Sequence, residues 1–289
     1  MASSVGQAPG ALIQRSLQRV RRLLGADKAG HVGSLDPLAT GMLPICLGEA
    51  TKVAGDITAA RKRYQFTMAF GSRTTTGDRE GEVVEEAPVP KLTAARVQLA
   101  LDSFRGSQSQ VPPMFSALKR DGQPLYKLAR AGLTVERAPR AIEITELSLV
   151  ALTGAALELT ALCSKGPTSG CCRGHCPPPR HLRSCERAAA ALCRAFEAQP
   201  MQTLAQVEAA CEGGRAPAMI APDAALPGMP CVHLPADLAG RLAHGQAVMM
   251  SAAAPPGKVR LYDPQGRFHG IGEADAQGQV RPRRLFASQ

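Results

Sequence analysis

The sequence predicts an α+β fold that combines antiparallel strands with helices and ends in a small β-type module. Apolar and polar residues alternate strictly over residues 64–70, which is typical of a half-buried strand. Two more alternating stretches, 141–150 and 156–163, flank the turn residues Thr153-Gly154 and predict an antiparallel hairpin. Helical periodicity before and between these stretches supplies the α component.

The first predicted helix, over residues 14–24, is basic and amphipathic. Leu17, Val20 and Leu24 recur on one face, so this face should pack on a core. The remaining surface carries three arginines, Arg15, Arg19 and Arg22. These arginines form either an ordinary solvated surface or a surface that contacts phosphates.

Capping and turn residues predict further elements. Thr93 and Thr203 can each cap a helix, the first running to residue 104 and the second to residue 211. A short helix is expected over residues 125–131, because Gly132 ends it. Residues 216–230 are rich in proline and alanine, which is typical of a linker.

The chain ends in the predicted β-type module. Stretches at residues 258–262, 267–273 and 279–286 are separated by turn residues and predict three strands. The last strand is basic at its end, through Arg281, Arg283 and Arg284. Together with the linker-like passage, this pattern predicts two domains, at residues 1–225 and 231–289.

Composition limits the function classes. The 289 residues carry a net charge of +10 and a pI of about 9.4, which suits a polyanionic partner such as nucleic acid. Only 3% of residues are aromatic, which argues against a binder that relies on serial base stacking. No apolar run approaches membrane-spanning length and the N-terminus lacks an apolar targeting segment, so a cytoplasmic protein without membrane contact is expected. Nine cysteines without a secretory signal argue against a disulfide framework.

The most distinctive stretch is the glycine-framed segment 30–41. It presents Asp36 with no other acid between Asp27 and Glu49. Pro37 restricts Asp36 to an extended backbone, and the glycines permit tight turns or the close approach of a ligand. The segment therefore predicts a rigid, irregular loop that presents a lone carboxylate, with a helix cap as the alternative interpretation.

Six blocks of sequence, taken together, resemble the TruB family of tRNA pseudouridine synthases. They occur in the family's order within residues 17–166, and the resemblance resumes over residues 196–286. The blocks are Ala29-Gly30-His31-Val32-Gly33-Ser34-Leu35-Asp36-Pro37-Leu38-Ala39-Thr40-Gly41-Met42-Leu43-Pro44, Gly48-Glu49-Ala50-Thr51-Lys52, Lys62-Arg63-Tyr64, Phe104-Arg105-Gly106, Gln110-Val111-Pro112-Pro113-Met114-Phe115-Ser116-Ala117-Leu118-Lys119 and Cys163-Ser164-Lys165-Gly166.

The resemblance implies a pseudouridine synthase fold, with a mixed, largely antiparallel sheet, flanking helices and a small C-terminal barrel of the PUA kind. It also implies a reaction, the isomerisation of uridine to pseudouridine at position 55 in the T-arm loop of tRNA. The family carries out this reaction without metal or cofactor. A monomer is expected.

The family's pattern also implies roles for individual residues. Asp36 would be the nucleophile, Tyr64 would stack on the base, and His31 would help to hold the flipped-out uridine. Gly33 and Lys165 complete the implied substrate-binding residues. Core packing for Tyr64 and a structural role for His31 are the alternatives. The three arginines of the first helix and the three at the C-terminal end are candidate contacts to RNA phosphates.

Two segments depart from the family's pattern. After residue 166 the family continues Thr-Tyr-Ile-Arg, whose arginine pairs with the nucleophile, whereas this chain continues Pro167-Thr168-Ser169-Gly170. Before the first helix the family has a strand and then Asp-Lys-Pro-x-Gly, whereas this chain has Gly6-Gln7-Ala8-Pro9-Gly10, so that strand is expected to be missing. A one-base shift converts one coding of each family motif into the residues present here. Segments 1–16 and 167–194 are therefore hypothesised to be translated out of the ancestral frame.

Two other functions stay open. Loss of the arginine partner of Asp36 would leave a catalytically impaired tRNA-binding protein or RNA chaperone. A zinc site is suggested by six possible ligands in the second segment, namely Cys171, Cys172, His175, Cys176, His181 and Cys185. Their spacing matches no recognised pattern and the prolines 177–179 separate them, so no metal site is predicted.

Overall fold

The computed structural model describes residues 2–7, 13–35, 39–75, 81–89, 91–112, 114, 116, 118–164, 183–196, 199–250 and 254–287. Within these ranges no helix is long and apolar enough to cross a bilayer. The α-helices in these ranges are α1 (Ile13–Leu23), α2 (Ala54–Ala59), α3 (Ala94–Asp102), α4 (Leu125–Arg130), α5 (Leu204–Glu212) and α6 (Ala236–Ala243).

The strands form three main sheets and two short ribbons in the described ranges. The first nine strands are β1 (Ala2–Gln7), β2 (Ala29–His31), β3 (Gly41–Leu47), β4 (Lys62–Phe70), β5 (Ser72–Thr74), β6 (Val83–Glu86), β7 (Gly106–Gln110), β8 (Lys119–Arg120) and β9 (Gln123–Pro124). The others are β10 (Arg140–Thr153), β11 (Ala156–Cys163), β12 (Arg183–Cys193), β13 (Gln202–Thr203), β14 (Cys231–His233), β15 (Val248–Met249), β16 (Gly257–Tyr262), β17 (Phe268–Ala274) and β18 (Gln279–Leu285). Strands β5–β6 and β8–β9 are the ribbons.

The first sheet has the order β13-β1-β3-β2, and β3 is buried along its whole length. Because side chains alternate along a strand, β3 serves two cores. Ile45 packs with Leu17 and Val20 of α1, whereas Met42 and Cys46 face a second core. The predicted apolar face of the first helix is therefore confirmed, and it packs against the strand that follows segment 30–41.

The second sheet has the order β12-β4-β11-β10-β7 and confirms the predicted strand and hairpin. Strand β4 covers residues 64–70, and β10 and β11 pair antiparallel on either side of residues 153–156. Phe66 and Met68 of β4 pack with Val97 and Leu101 of α3. The alternation in the sequence therefore marks the face on which α3 lies.

The predicted caps are confirmed as well. The Thr93 side chain accepts a hydrogen bond from the backbone N–H of Arg96 at the start of α3. Thr203 and Gln206 form a capping box at the start of α5, in which each side chain accepts from the other residue's backbone N–H. Such caps satisfy N–H groups that have no partner within the helix.

Both aberrant segments contribute a strand. Strand β1 pairs antiparallel with β3, from Ala2 opposite Cys46 to Gln7 opposite Gly41. The expectation that no strand precedes the first helix is therefore wrong. Strand β12, which includes the alanine run of the second segment, pairs antiparallel with β4. Sheet ladders are made by main-chain groups, so a strand can form there although the side chains do not follow the family's pattern.

The third sheet, of order β14-β16-β17-β18-β15, contains the three strands predicted at the C-terminal end. With α6 it encloses its own apolar core, which includes Val232, Leu242, Val259, Leu261 and Val280. A core of this kind is expected of the small C-terminal barrel that the resemblance implies.

The passage 216–230 packs as part of the core, which corrects its interpretation as a linker. Ala225 and Leu226 are buried in the same cluster as Phe196. Asp223 accepts a hydrogen bond from the Tyr262 hydroxyl at 2.9 Å, which ties the passage to β16. Proline and alanine are common in linkers, but the apolar residues of this passage pack into a hydrophobic core.

Candidate active site

The hairpin β2–β3 holds the loop that the sequence singles out. Gly30 lies opposite Cys46 and His31 opposite Ile45, and the Val32 N–H donates to the Pro44 carbonyl at 2.9 Å. The start of the loop is therefore held by β2, which pairs with β3, and the loop ends where β3 begins. Asp36, with residues 37 and 38, and Lys165 lie outside the described residues.

His31 is bonded to its own loop. Its Nδ1 lies 2.6 Å from the carbonyl oxygen of Gly33. A carbonyl only accepts hydrogen bonds, so Nδ1 donates, and in the neutral ring Nε2 remains as an acceptor. Gly33 has a φ of 80°, a left-handed conformation that glycine adopts without strain. The structural role considered for His31 therefore exists, and it leaves one ring nitrogen for a further partner.

A small cavity lies beside the described part of this loop. Gly33, Ser34 and Leu35 line it, together with β3 residues 42–44, Lys62 of β4 and Cys193 of β12. Its wall thus joins the loop to the second sheet. The Nζ of Lys62 donates to the Thr58 carbonyl at 3.1 Å, and its aliphatic chain lies near Gly33.

Lys62 lines the cavity beside the loop and is a candidate site residue that sequence reasoning missed. It stands two positions before Tyr64, so both side chains lie on the same face of β4. The block Lys62-Arg63-Tyr64 contained this residue, but only the fold shows that Lys62 reaches the loop, because the second sheet lies beside the hairpin through β12.

Tyr64 lies at the edge of the apolar core of the second sheet. It is partly buried and packs against the cluster that contains Phe66 and Met68. The register places Tyr64 opposite Ala161 on β11 and Ala191 on β12. An aromatic ring that is half core and half accessible is suited to stack on a planar base.

The candidate phosphate contacts divide into two groups. Arg19 pairs with Glu208 of α5 at 2.6 Å, and Arg283 pairs with Glu273 of β17. The other four are exposed and form no ion pair with a carboxylate within the described ranges. They are Arg15, Arg22, Arg281 and Arg284. This second group has charge available for a polyanion.

Two buried thiols, Cys46 of β3 and Cys163 of β11, are poor candidates for nucleophiles. Burial raises the pKa of Cys46 and of Cys163 to about 11, so both stay protonated near neutral pH. No group of metal-ligating side chains occurs among the residues that the structure describes. The cysteine and histidine cluster between residues 171 and 181 lies outside them.

Family comparisons cover both halves of the chain. Residues 21–168 match the TruB family pseudouridylate synthase N-terminal domain. Residues 230–286 match the C-terminal domain described as pseudouridine synthase II TruB.

Two relatives are similar over nearly the whole length. The tRNA pseudouridine synthase B of Stutzerimonas stutzeri is 44% identical over 288 residues, covering 95% of this chain and 91% of the relative. The tRNA pseudouridine synthase B of Sodalis glossinidius is 45% identical over 288 residues, covering 94% of this chain and 90% of the relative.

Solved structures share the fold at low identity. An H/ACA RNP bound to a substrate RNA containing 2′-deoxyuridine contains a chain with a TM-score of 0.74 and 15% identity, covering 99% of this chain and 85% of that one. A Cbf5-Nop10-Gar1 complex contains a chain with a TM-score of 0.72 and 16% identity, and the match covers 100% of this chain and 84% of that one. These likenesses confirm the α+β fold class.

Proposed function

Because this chain belongs to the TruB family of pseudouridine synthases, we propose that it isomerises uridine to pseudouridine in tRNA. One observation carries the proposal. Relatives that are 44–45% identical over 94–95% of the chain are tRNA pseudouridine synthases. The net charge of +10 suits an RNA substrate.

The chemistry needs a nucleophile that can also leave, and a carboxylate can do both. Asp36 is that nucleophile in our proposal, attacking either the ribose C1′ or the uracil C6. The N1–C1′ bond breaks, the uracil turns, and a C5–C1′ bond replaces it. A proton leaves C5 and N1 gains one, so the product is an isomer of the substrate. The reaction therefore consumes no oxidant, reductant or second substrate.

The base must leave its stack to reach the loop, as in other enzymes that modify bases. In our proposal Tyr64 stacks on the extruded uracil and His31 holds the flipped nucleotide through Nε2. The hydrogen bond from His31 to Gly33 supports this role, because it orients the ring. Lys165 and Gly33 complete the substrate contacts that the resemblance implies.

We further propose that the substrate is the T-arm loop, at position 55. Residues 1–225 act as the catalytic domain and residues 231–289 as an RNA-binding domain. Arg15, Arg22, Arg281 and Arg284 are the first candidates for phosphate contacts, since they are exposed and form no carboxylate pair within the described residues. The protein acts as a monomer in the cytoplasm, where a tRNA substrate is available.

Replacing the nucleophile tests the proposal. We expect Asp36→Asn to lower isomerisation on the order of 10⁴-fold or more. Its affinity for tRNA should stay within about twofold of wild type, because the substitution is isosteric. The assay is tritium release from tRNA labelled at uracil C5, with a transcript lacking the T-arm uridine as control. The same turnover in both proteins would rule out Asp36 as the nucleophile.

The missing arginine after Gly166 favours a second candidate, a tRNA-binding protein that helps RNA to fold without isomerising it. In that case wild type and Asp36→Asn would both release no tritium and would bind tRNA equally well. Acceleration of tRNA refolding by both proteins would then identify the chaperone.

A further inference from the structure

The 3-10 helix Gly48–Val53 directly follows β3, the strand that ends the active-site loop. Gly48 is fixed to the start of the hairpin, because its N–H donates to the Lys28 carbonyl at 2.8 Å. The helix buries Ala50 and Val53 and turns Glu49 and Lys52 outward, each side chain more than a third exposed. The implied reaction gives these two residues no task.

Both residues bind the C-terminal end of the chain. Lys52 Nζ donates to the Leu285 carbonyl at 2.7 Å, and Glu49 Oε2 accepts from the Ala287 N–H at 2.9 Å. Lys52 and Glu49 also pair with each other at 2.5 Å. We call these four residues the C-terminal clasp. It satisfies the carbonyl of Leu285, the last paired residue of β18, and the N–H of Ala287, two positions further on.

An apolar contact lies beside the clasp. Phe286, between the two clasped residues, packs edge-on against Phe268 with ring centroids 5.1 Å apart. Both rings border the core that contains Val32 of the active-site loop and Met42 of β3. A second ion pair, from Lys258 of β16 to Asp56 of α2 at 2.5 Å, lies at the same junction. The third sheet thus shares a core with the loop hairpin.

We propose that Glu49 and Lys52 are positioning residues, which anchor the basic strand β18 to the active-site hairpin and so set where bound RNA enters the loop. Arg284 directly precedes the clasped Leu285 and Arg281 lies four positions before it on the same strand, so the clasp fixes both charges relative to Gly48 and β3. The anchor itself is independent of the reaction, whereas its effect on RNA rests on the proposed function.

The anchor is tested by amide hydrogen exchange on the full chain without RNA. In Glu49→Ala/Lys52→Met, peptides covering residues 285–287 should exchange roughly fivefold faster or more, because partly exposed charged hydrogen bonds are lost. Arg73→Met/Glu85→Ala removes an ion pair in the β5–β6 ribbon and is the matched control. It should exchange like wild type in this segment. An unchanged rate in the clasp variant would overturn the anchor.

The positioning role is tested by comparing RNAs. The clasp variant should raise the Kd and KM for a full tRNA transcript roughly fivefold while kcat and the Kd for an isolated T-arm stem-loop stay unchanged. In Glu49→Ala, Lys52 still binds the Leu285 carbonyl, so the Kd and KM for the full tRNA transcript should rise less than in the double variant. Lys52→Arg in the wild-type background should behave like wild type, since it keeps a donor for Leu285. An equal loss of affinity for the full transcript and for the stem-loop would show that the clasp is merely structural, and it would overturn the proposed positioning role.

Failure of the proposed function gives a different result. If wild type neither binds nor isomerises tRNA, the proposed function and the positioning role both fall. The exchange experiment alone then decides the anchor.

Discussion

The Nδ1 of His31 donates a hydrogen bond to the carbonyl of Gly33 across 2.6 Å, so the candidate active-site loop is closed on itself just before Asp36. A hydrogen bond that spans two residues restricts the backbone between them. It also orients the imidazole, because Nδ1 is hydrogen-bonded to the loop whereas Nε2 can accept a hydrogen bond from another group. The two nitrogens can be tested separately.

Replacing His31 by asparagine and by glutamine separates the two nitrogens. Asparagine keeps a donor near Nδ1, so His31→Asn should melt within about 1 °C of wild type but lose roughly tenfold in kcat/KM. Glutamine keeps a polar group near Nε2 but loses the donor near Nδ1. The free energy of unfolding of His31→Gln should therefore fall by about 1 kcal/mol, while its kcat/KM should fall less than that of His31→Asn. Thermal melting and tritium release measure both effects. Full activity of His31→Asn would leave only the structural role.

Gly33 should not tolerate a side chain. Its φ of 80° imposes strain of about 1–2 kcal/mol on alanine. A Cβ at this position would meet only Lys62 Cε, at an ordinary contact distance of 3.5 Å, so backbone strain is the cause. Urea unfolding should show this loss for Gly33→Ala, together with reduced turnover. Gly30→Ala is the matched control, because Gly30 is not in the left-handed region and a Cβ there meets its nearest neighbour at 3.9 Å. Equal stabilities for the two variants would contradict this account.

Restoring the family's motif should restore turnover. Without the arginine, Asp36 loses the charge that would orient it and keep it ionised. We therefore expect this chain to be slow. Replacing Pro167-Thr168-Ser169-Gly170 by Thr-Tyr-Ile-Arg should raise kcat on the order of 100-fold. The same replacement ending in methionine is the control and should gain little.

The reading-frame hypothesis is checked on the gene. Around codons 6–16 and 167–194 an open alternate frame should encode the family's residues. If no such frame exists, the hypothesis is wrong.

The C-terminal module should lose stability in acid through Asp263. The carboxylate is 3% exposed, and burial by itself raises its pKa. Hydrogen bonds from the Arg267 backbone and side chain and from His269 outweigh this effect and lower the pKa from 3.8 to about 2. A lowered pKa stabilises the fold above the unfolded value, and this stability is lost as the pH falls from about 4 towards 2.

Asp263→Asn checks this assignment by thermal melting across pH. The variant should be less stable than wild type at pH 7, and the difference should shrink below pH 4, where the wild-type carboxylate becomes protonated. A difference that stays constant from pH 7 to pH 3 would show that Asp263 does not cause the acid sensitivity. The comparison uses the full chain, since the module shares a core with the hairpin.

Local elements were predictable because their causes are local. Alternation over β4, the caps at Thr93 and Thr203, and the hairpin around Thr153-Gly154 depend on neighbouring residues only. The passage 216–230 was misread because composition does not show whether an apolar residue finds a core. Strand β1 was missed because main-chain pairing leaves little trace in side-chain patterns.

Motifs and periodicity depend on neighbouring residues, so the sequence was enough to predict the family, the segment that carries Asp36, and most of the helices and strands around it. Which distant residues these elements contact became visible only in the folded chain. Lys62 lines the cavity beside Gly33 because the second sheet lies beside the hairpin, which β12 contacts. Lys52 meets Leu285 although 233 residues separate them, because two sheets share one core. Contacts between distant residues depend on how whole elements pack, and no local pattern encodes that packing.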